Sequence, residues 1–214
     1  MNALTQYIDL YKTHSATINA NAPEVLNRHR AAALAVLERL PGMPERGDEG
    51  YEKISLNNMF TPDYGVNISR LKFEADASSM SGCDIPTVGF LTTLVVNDSF
   101  EAGTDLHRAL PDGVELISLA RAAEIYPEEF EKPCILSDNP IVALNTLLVQ
   151  DGVFLRVRKG VKLDKPVQIL SLFNTSQALM AARRIRIVVE DGAQASILIC
   201  DHPRVAALTT CHVV

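Results

Sequence analysis

The stretch VQDGVFLRVRKGVKLDKPVQI, residues 149–169, alternates apolar and polar side chains between corners that contain glycine. Successive side chains of an extended chain point to opposite faces. One face of this stretch therefore carries three aliphatic residues, and the other carries Phe154, Arg156 and Arg158. The alternation predicts a half-buried β-strand.

The same pattern returns in RIRIVVEDGAQASILICDH, residues 184–202. The two Asp-Gly corners end at Gly152 and Gly192. The interval between these glycines is the predicted repeat, and Gly160 divides it into two parts. Short strands, corner glycines and a coarse period are typical of a solenoid, so a β-helix is predicted over residues 139–214. A jelly roll is the competing architecture. The predicted interior consists of Val153, Leu155, Val157, Ile185, Ile187, Val189, Ile197 and Ile199.

The N-terminal region, residues 1–40, has the apolar spacing of two helices, broken between Asn19 and Ala22. Pro23 suits the first position of the second helix, and Pro41-Gly42 ends that helix. The following segment GMPERGDEG, residues 42–50, is predicted to be a polar loop.

The middle of the chain is predicted to form short mixed elements. VNISRLKF (66–73) and TVGFLTTLVVNDSF (87–100) look like strands, and GVELISLARAAEIY (113–126) looks like a strand followed by a helix. Turns are predicted at Asn97-Asp98 and at Pro111-Asp112-Gly113, and QALMAAR (177–183) is predicted to be a helical connection. The predicted class is α+β, with a helical and mixed region over 1–135 and the start of a β-helix over 136–214.

Composition and charge narrow the classes of protein. The 214 residues include 47% hydrophobic and 21% charged residues, as in ordinary globular proteins. A net charge of -6 argues against nucleic acid as a partner, because phosphate binding needs a basic surface. A signal peptide and an apolar run long enough for a membrane span are both missing from the sequence, so we expect a cytoplasmic protein that does not bind membranes.

Thiols and imidazoles near the end of the sequence suggest a metal site: Cys200, Asp201 and His202, then Cys211 and His212. Their spacing matches no compact metal knuckle, so packing of the cysteines as small apolar residues is the favoured interpretation. The four cysteines contain no CxxC pair, and isolated histidines are usually surface or core residues. The scattered residues are Cys83, Cys134, His14, His29 and His107.

Two further charge patterns have both a functional and a structural explanation. Acidic residues on neighbouring rungs of a β-helix can form a glycosidase pair, but here most of them lie beside glycine in predicted corners. These acids are Asp151, Asp164, Glu190 and Asp191. A basic strand face could bind an acidic partner or simply be solvated and protect a strand edge. Its residues are Arg156, Arg158, Lys159, Lys162 and Lys165. We assign no catalytic, cofactor-binding or metal-binding residue from the sequence.

Three segments together resemble the SufB/SufD family of iron-sulfur cluster assembly proteins, and SufD more than SufB. They are LPGMPERGDEGYEKISLNNMF (40–60), TTLVVNDSFEAG with LPDGVELISLARAAE (92–103 and 110–124), and NPIVALNTLLVQDGVFLRVRKGVKLDKPVQILSLF (139–173). The sequence departs from the family at Tyr51, where members often have Trp, and at Ile54, where Tyr is usual.

The resemblance implies a non-enzymatic scaffold component of a SufBCD complex, with SufB-like and SufC-like ATPase subunits as partners. It implies no cofactor in this chain, because an iron-sulfur cluster would belong to the full complex. Family members are longer, so the sequence is interpreted as the N-terminal portion of such a protein, apparently truncated. An open stack of strands also predicts a homo-oligomer.

Two alternatives stay open from the sequence. One is a cupin-like or carbohydrate-active β-protein, which would be an enzyme. The other is an interaction module that uses the basic strand face.

Overall fold

The computed structural model describes residues 3–71, 89–101, 110–131, 139–173, 178–203 and 207–213. For residues 202, 203 and 207–213 it describes the backbone only. The predicted strand segment 87–90, His107, Cys83 and Cys134 fall wholly or partly outside these ranges.

Four helices occupy the N-terminal region: α1 (Ala3–Ala20), α2 (Glu24–Asn27), α3 (Arg30–Arg39) and α4 (Leu56–Phe60). The helical prediction for this region is confirmed, with the first break near the expected position, but the predicted second helix is divided by a turn at Arg28 and His29. Pro23 lies just before α2 with ψ 146°, so it precedes the helix and does not begin it. Helices α1, α3 and α4 share one core in which Tyr7, Ile18 and Leu37 are almost fully buried, whereas Val25 and Leu26 of α2 pack in a second core with Phe130.

The middle region contains β1 (Leu91–Val96), β2 (Ser99–Glu101), β3 (Val114–Ser118), α5 (Leu119–Ile125) and α6 (Glu128–Glu131). Both predicted turns are present, with positive φ at Asn97 (58°) and Gly113 (83°). The strand followed by a helix over 113–126 is also confirmed. The predicted strand over 66–73 is wrong for its described part, because residues 68–69 form a turn and Arg70 has φ 54°.

A helix, α7 (Pro140–Leu148), occupies the first part of the region predicted to be strand rungs. The Asn139 side chain caps this helix by accepting hydrogen bonds from the Ile141 and Val142 amides. Pro140 then supplies a compatible first helical residue. Because α7 packs against the N-terminal helices, most of its side chains are buried. An apolar run without clear periodicity does not distinguish such a helix from a strand.

In the part of the chain that the structure describes, five strands follow α7: β4 (Asp151–Val157), β5 (Val167–Phe173), β6 (Leu179–Val189), β7 (Ile197–Pro203) and β8 (Ala207–Val213). One sheet has the order β2-β1-β5-β7 and the other has the order β3-β4-β6-β8. We refer to them as sheet 1 and sheet 2. From β4 onward, consecutive strands alternate between the sheets and pair in parallel with the strand two elements away.

The repeat is shorter than the predicted interval between Gly152 and Gly192. Asp151 pairs with Arg183, and Val167 pairs with Ile197. The equivalent corners are instead at Gly160 and Gly192, joined by a hydrogen bond from the Gly160 amide to the Asp191 carbonyl. Parallel pairing also differs from the antiparallel order of a jelly roll. The α+β class is confirmed, and the described sheets are not closed.

The predicted helical connection over 177–183 is wrong, because Leu179 begins β6. In β6, the backbone of residues 179–185 pairs with β8, and residues 183–189 pair with β4. Met180 and Ala182 pack into the core of the N-terminal helices and α7. Short runs of Ala and Met favour a helix locally, but pairing with β8 and burial against the helical core outweigh that preference.

The residues predicted to be interior are buried where their strands have a neighbouring strand on each side. Val153, Leu155, Val157 and Ile185 are fully buried between the sheets. Ile187 and Ile197 are half-buried. The prediction is wrong for Val189 and Ile199, which are 46% and 38% exposed. Ile199 lies on β7, which has a neighbouring strand on one side only in the described part of the chain, and Val189 ends β6.

The outer face of β4 is also buried, contrary to the half-buried strand that was predicted. Phe154 is fully buried against α5 and α6, where it stacks on Tyr126 and contacts Phe130. Both faces of β4 therefore contribute to packing. Alternation alone shows which residues share a face, but it does not show whether helices cover the second face.

Candidate functional site

The Asp151 carboxylate, at the start of β4, has hydrogen-bond partners from three other parts of the chain. One oxygen accepts hydrogen bonds from the Ser118 hydroxyl (2.9 Å) and the Ala120 amide (3.0 Å). The other accepts from Arg70 Nη2 (2.8 Å) and the Phe100 amide (3.4 Å). A buried carboxylate with a cation and three other donors is well compensated for loss of water.

A second carboxylate, Asp98, lies beside the first in the β1–β2 turn. Its Oδ1 accepts a hydrogen bond from Asn67 Nδ2 (3.1 Å), and its backbone carbonyl accepts one from Arg70 Nη1 (3.1 Å). The Arg70 guanidinium thus joins the two acids. We call Asn67, Arg70, Asp98, Ser118 and Asp151 the Asp151 cluster.

Burial raises the pKa of Asp98, while Arg70 and the hydrogen bonds from Asn67 and Ser99 oppose this shift. A carboxyl group whose pKa is raised by folding stabilises the folded state when it is protonated. This contribution is present below the pKa of an unfolded aspartate and is lost as the pH rises through the raised value.

The Asp151 cluster is a set of tertiary contacts that holds distant segments of the chain together. It joins the 67–71 loop, the β1–β2 hairpin, the β3–α5 junction and the start of β4. Both Asp151 oxygens already have partners from within the chain. A carboxylate that is fully engaged in this way is poorly suited to metal binding or to proton transfer with a substrate.

We expect Asp151→Asn to lower the free energy of unfolding by about 3 kcal/mol, since it removes one charge from a buried ion pair and leaves Arg70 less compensated. Urea denaturation followed by circular dichroism measures the change. Asp164→Asn is the matched control, because Asp164 is exposed in a loop, and it should alter stability by less than about 0.5 kcal/mol. Equal effects of the two variants would contradict the role assigned to Asp151.

Arg30 is a buried cation that joins two helices, and it is 1% exposed. Its guanidinium donates to the carbonyl oxygens of Leu147 (2.6 Å) and Val149 (2.7 Å) at the C-terminal end of α7. Asn27 accepts from its Nε at 3.0 Å. Burial lowers the pKa of Arg30 to about 10, so it remains charged at neutral pH.

Another buried cation, Arg183, lies on β6 between the sheets and is fully buried. It forms an ion pair with Asp201 of β7, which connects the two sheets. Its Nε and Nη1 have no hydrogen-bond partner among the described residues, and neither does the Oγ of the buried Ser171. Backbone pairing places Ser171 beside Asp201.

The residues suggested as metal ligands lie on two different sheets. Cys200, Asp201 and His202 belong to β7 of sheet 1, whereas Cys211 and His212 belong to β8 of sheet 2. Cys200 is a free, half-buried thiol, and Asp201 is engaged by Arg183. Among the side chains that the structure describes, no group of three potential ligands converges.

Among the four acids considered for glycosidic chemistry, Asp151 is distant from Glu190 and from its sequence neighbour Asp191. Asp151 starts β4, while Glu190 follows the far end of the parallel strand β6. Asp164 and Asp191 are exposed in loops. The Asp151-Gly152 pair is not a corner, because both residues belong to β4.

Two of the five residues of the basic strand face, Arg156 and Arg158, pair with acids of the same chain, whereas the three lysines are exposed. Arg156 pairs with Glu190 (2.7 Å) and lies 5.1 Å from the Tyr126 ring centre. Arg158 pairs with Glu115 at 2.7 Å. The hydrogen bond from Arg156 lowers the pKa of Glu190, so this pair stabilises the fold above the pKa of an unfolded glutamate and less as the pH falls through the lowered value. For these two arginines the structural explanation is favoured over a docking face for an acidic partner.

The remaining histidines do not form a site in the described structure. His14 lies on α1, and His29 contacts the Phe130 carbonyl oxygen through Nε2 at 2.7 Å. The important residues that the sequence did not identify are Arg30, Arg70, Asp98 and Arg183. Their distant partners lie 18 to 119 positions away along the chain, so no local motif indicates the pairs.

Comparison with known protein families supports the resemblance seen in the sequence. The family model described as the SufBD protein N-terminal region matches residues 1–169. This match covers more than half of the chain. The chain belongs to the SufBD family. The residues matched to the SufBD N-terminal region include the N-terminal helices, the first strands of both sheets and the Asp151 cluster of this chain. A comparison with curated proteins gives no match.

Membership of the SufBD family associates the chain with iron-sulfur cluster assembly. In the described ranges, no helix has both the length and the apolar character needed to cross a membrane.

Proposed function

We propose that this chain is a SufD-like scaffold component of a SufBCD complex that assembles iron-sulfur clusters in the cytoplasm. The match to the SufBD N-terminal region carries this proposal. The chain is not an enzyme in this proposal, and the cluster is cargo held by the complex. SufB-like and SufC-like ATPase subunits are its partners.

The strand arrangement supports a β-helical scaffold. Strands β4 to β8 alternate between two sheets, pair in parallel and recur at a nearly constant interval along the chain. Stacking of the equivalent corners, through the hydrogen bond between Gly160 and Asp191, would continue from coil to coil. We propose that these strands are the first coils of a solenoid.

Co-expression with a SufB-like and a SufC-like subunit tests the proposed function. A tag on this chain should retain both partners, and the purified complex should contain iron and acid-labile sulfide. The negative control is Gly152→Ala, which we expect to misfold. Recovery of the folded chain without either partner would contradict the scaffold role.

The edges of the sheets support a second copy of this chain as an additional partner. Within the described residues, β7 pairs only with β5, and β8 pairs only with β6. Unpaired strand edges expose backbone donors and acceptors that another strand can satisfy. Ile199 adds a partly exposed aliphatic side chain to the β7 edge.

We therefore expect concentration-dependent self-association in analytical ultracentrifugation. Ile199→Lys should weaken the association constant by roughly tenfold, because it places a charge at the edge. Ile125→Lys is the matched control, since Ile125 is 45% exposed on α5, away from β7 and β8. A strictly monomeric wild-type chain, or equal weakening by both variants, would contradict association through this edge.

A further inference from the structure

An open groove lies beside the polar loop over residues 42–50. It has a volume of about 680 Å³ and runs between the 40–51 segment and the start of α7 at Asn139 and Pro140. We call it the Pro41 groove. Its size falls in the range of binding clefts in proteins. The Asp151 cluster, the Arg30 contacts and the sheet edges are all outside it.

The wall formed by the 42–50 loop is held in shape by hydrogen bonds within the chain. The Glu45 amide donates to Asp48 Oδ2 (2.8 Å), and the Tyr51 amide donates to the Asp48 carbonyl (2.8 Å). The Leu56 amide, at the start of α4, donates to the Pro44 carbonyl (2.9 Å). The groove is therefore formed before any partner binds, which reduces the entropy cost of binding.

The lining combines an apolar floor with negative charge at the rim. Met43 is 4% exposed, and Tyr51 packs against the helical core, so both are held in place by packing. The carboxylates of Glu45, Asp48 and Glu49 line the groove and are exposed. Glu45 and Asp48 also hold the loop, whereas Glu49 takes no hydrogen bond from a described residue.

No lysine or arginine is among the described residues that line the groove. Arg46 and Lys53 belong to the same part of the chain but are exposed outside the lining. The described lining therefore carries three formal negative charges and no positive one. Such a surface attracts cations and repels phosphate groups.

We propose that the Pro41 groove binds a segment of a partner protein that carries arginine or lysine next to aliphatic residues. The aliphatic side chains pack on Pro41, Pro44 and Tyr51, which retain exposed surface, and the cation pairs with Glu49 and its neighbours. Charge complementarity at the rim directs association, while the apolar floor supplies buried area.

This interaction is independent of the proposed scaffold function, since it uses none of the sheet edges. Its test needs no other Suf subunit, so failure of one proposal leaves the other intact.

Fluorescence anisotropy with a labelled peptide that alternates leucine and arginine tests the groove on the full chain. We expect saturable binding, lost when glutamine replaces every arginine and weakened when serine replaces every leucine. Glu49→Lys should weaken binding by roughly tenfold, because it puts like charge next to the peptide. The matched control is Glu128→Lys, which makes the same charge change at an exposed position on α6 and should leave binding unchanged.

Three results would overturn the proposal. One is equal binding to the two lysine variants, and another is equal binding of the glutamine peptide. The third is displacement of the peptide by spermidine at the same charge concentration, which would show that the surface recognises charge alone. Because Glu49 is exposed and has no described hydrogen-bond partner, its substitution should not affect folding, which circular dichroism verifies.

Discussion

Gly152→Ala is expected to abolish folding of the β4–β8 region. A Cβ at this position would lie 1.9 Å from the Arg184 carbonyl oxygen and 2.8 Å from the Arg184 nitrogen. Both atoms belong to the backbone of the neighbouring strand, which pairs with Gly152, so a side-chain rotation cannot relieve the clash. We expect insoluble protein, or soluble protein without a cooperative thermal transition.

The matched control is Gly160→Ala. Gly160 has φ 75°, and a Cβ added there would have no heavy atom within 4 Å, so its substitution costs only backbone strain. That cost is about 1 to 2 kcal/mol, which a folded domain tolerates. A Gly152→Ala protein with a melting temperature equal to that of Gly160→Ala would show that β4 and β6 do not approach so closely.

Arg30→Met is expected to lower the free energy of unfolding by about 3 kcal/mol, because each buried acceptor left without a partner costs about 1 to 3 kcal/mol. Methionine retains an unbranched side chain of similar length but lacks the guanidinium that donates to the Leu147 and Val149 carbonyl oxygens. Urea denaturation at neutral pH measures the loss, and a reduced m-value would indicate that α7 has separated from the N-terminal helices.

Arg28→Met provides the comparison for Arg30→Met. Arg28 is two positions away, and its side chain is 58% exposed with a single 3.8 Å ion pair to Glu131. Exposed pairs of this kind contribute less than about 1 kcal/mol. If both variants lost similar stability, the buried contacts of Arg30 would not be the anchor between α3 and α7.

Particular residues show which parts of this structure were predictable. The positive φ values at Asn97 and Gly113 follow from turn-forming residues adjacent in sequence, so both turns were predicted. The shared face of Val153, Leu155 and Val157 follows from the two-residue period of a strand. The family could also be identified from three segments, and the family match confirms it.

The errors arose where distant contacts decide the outcome. Residues 140–148 are apolar enough for a buried strand, yet the Asn139 cap and packing against the N-terminal helices make them a helix. Residues 179–183 favour a helix locally but pair with β8, and Leu179 also forms a bridge with the distant Gly65. Gly152 resembles a corner residue in the sequence, whereas its actual constraint is the backbone of Arg184.

For this protein, local sequence was enough to establish the family, the α+β class, the turns and the phase of the strands, because each depends on neighbouring residues or on recognisable segments. The strand repeat, the burial of Phe154 and the roles of Arg30, Asp98 and Asp151 emerged only from the three-dimensional contacts. Those features depend on groups that folding brings together from up to 119 positions apart. A buried charge affects stability through the groups that replace water around it. A glycine at a close backbone approach does so through the neighbouring strand that leaves no room for a side chain.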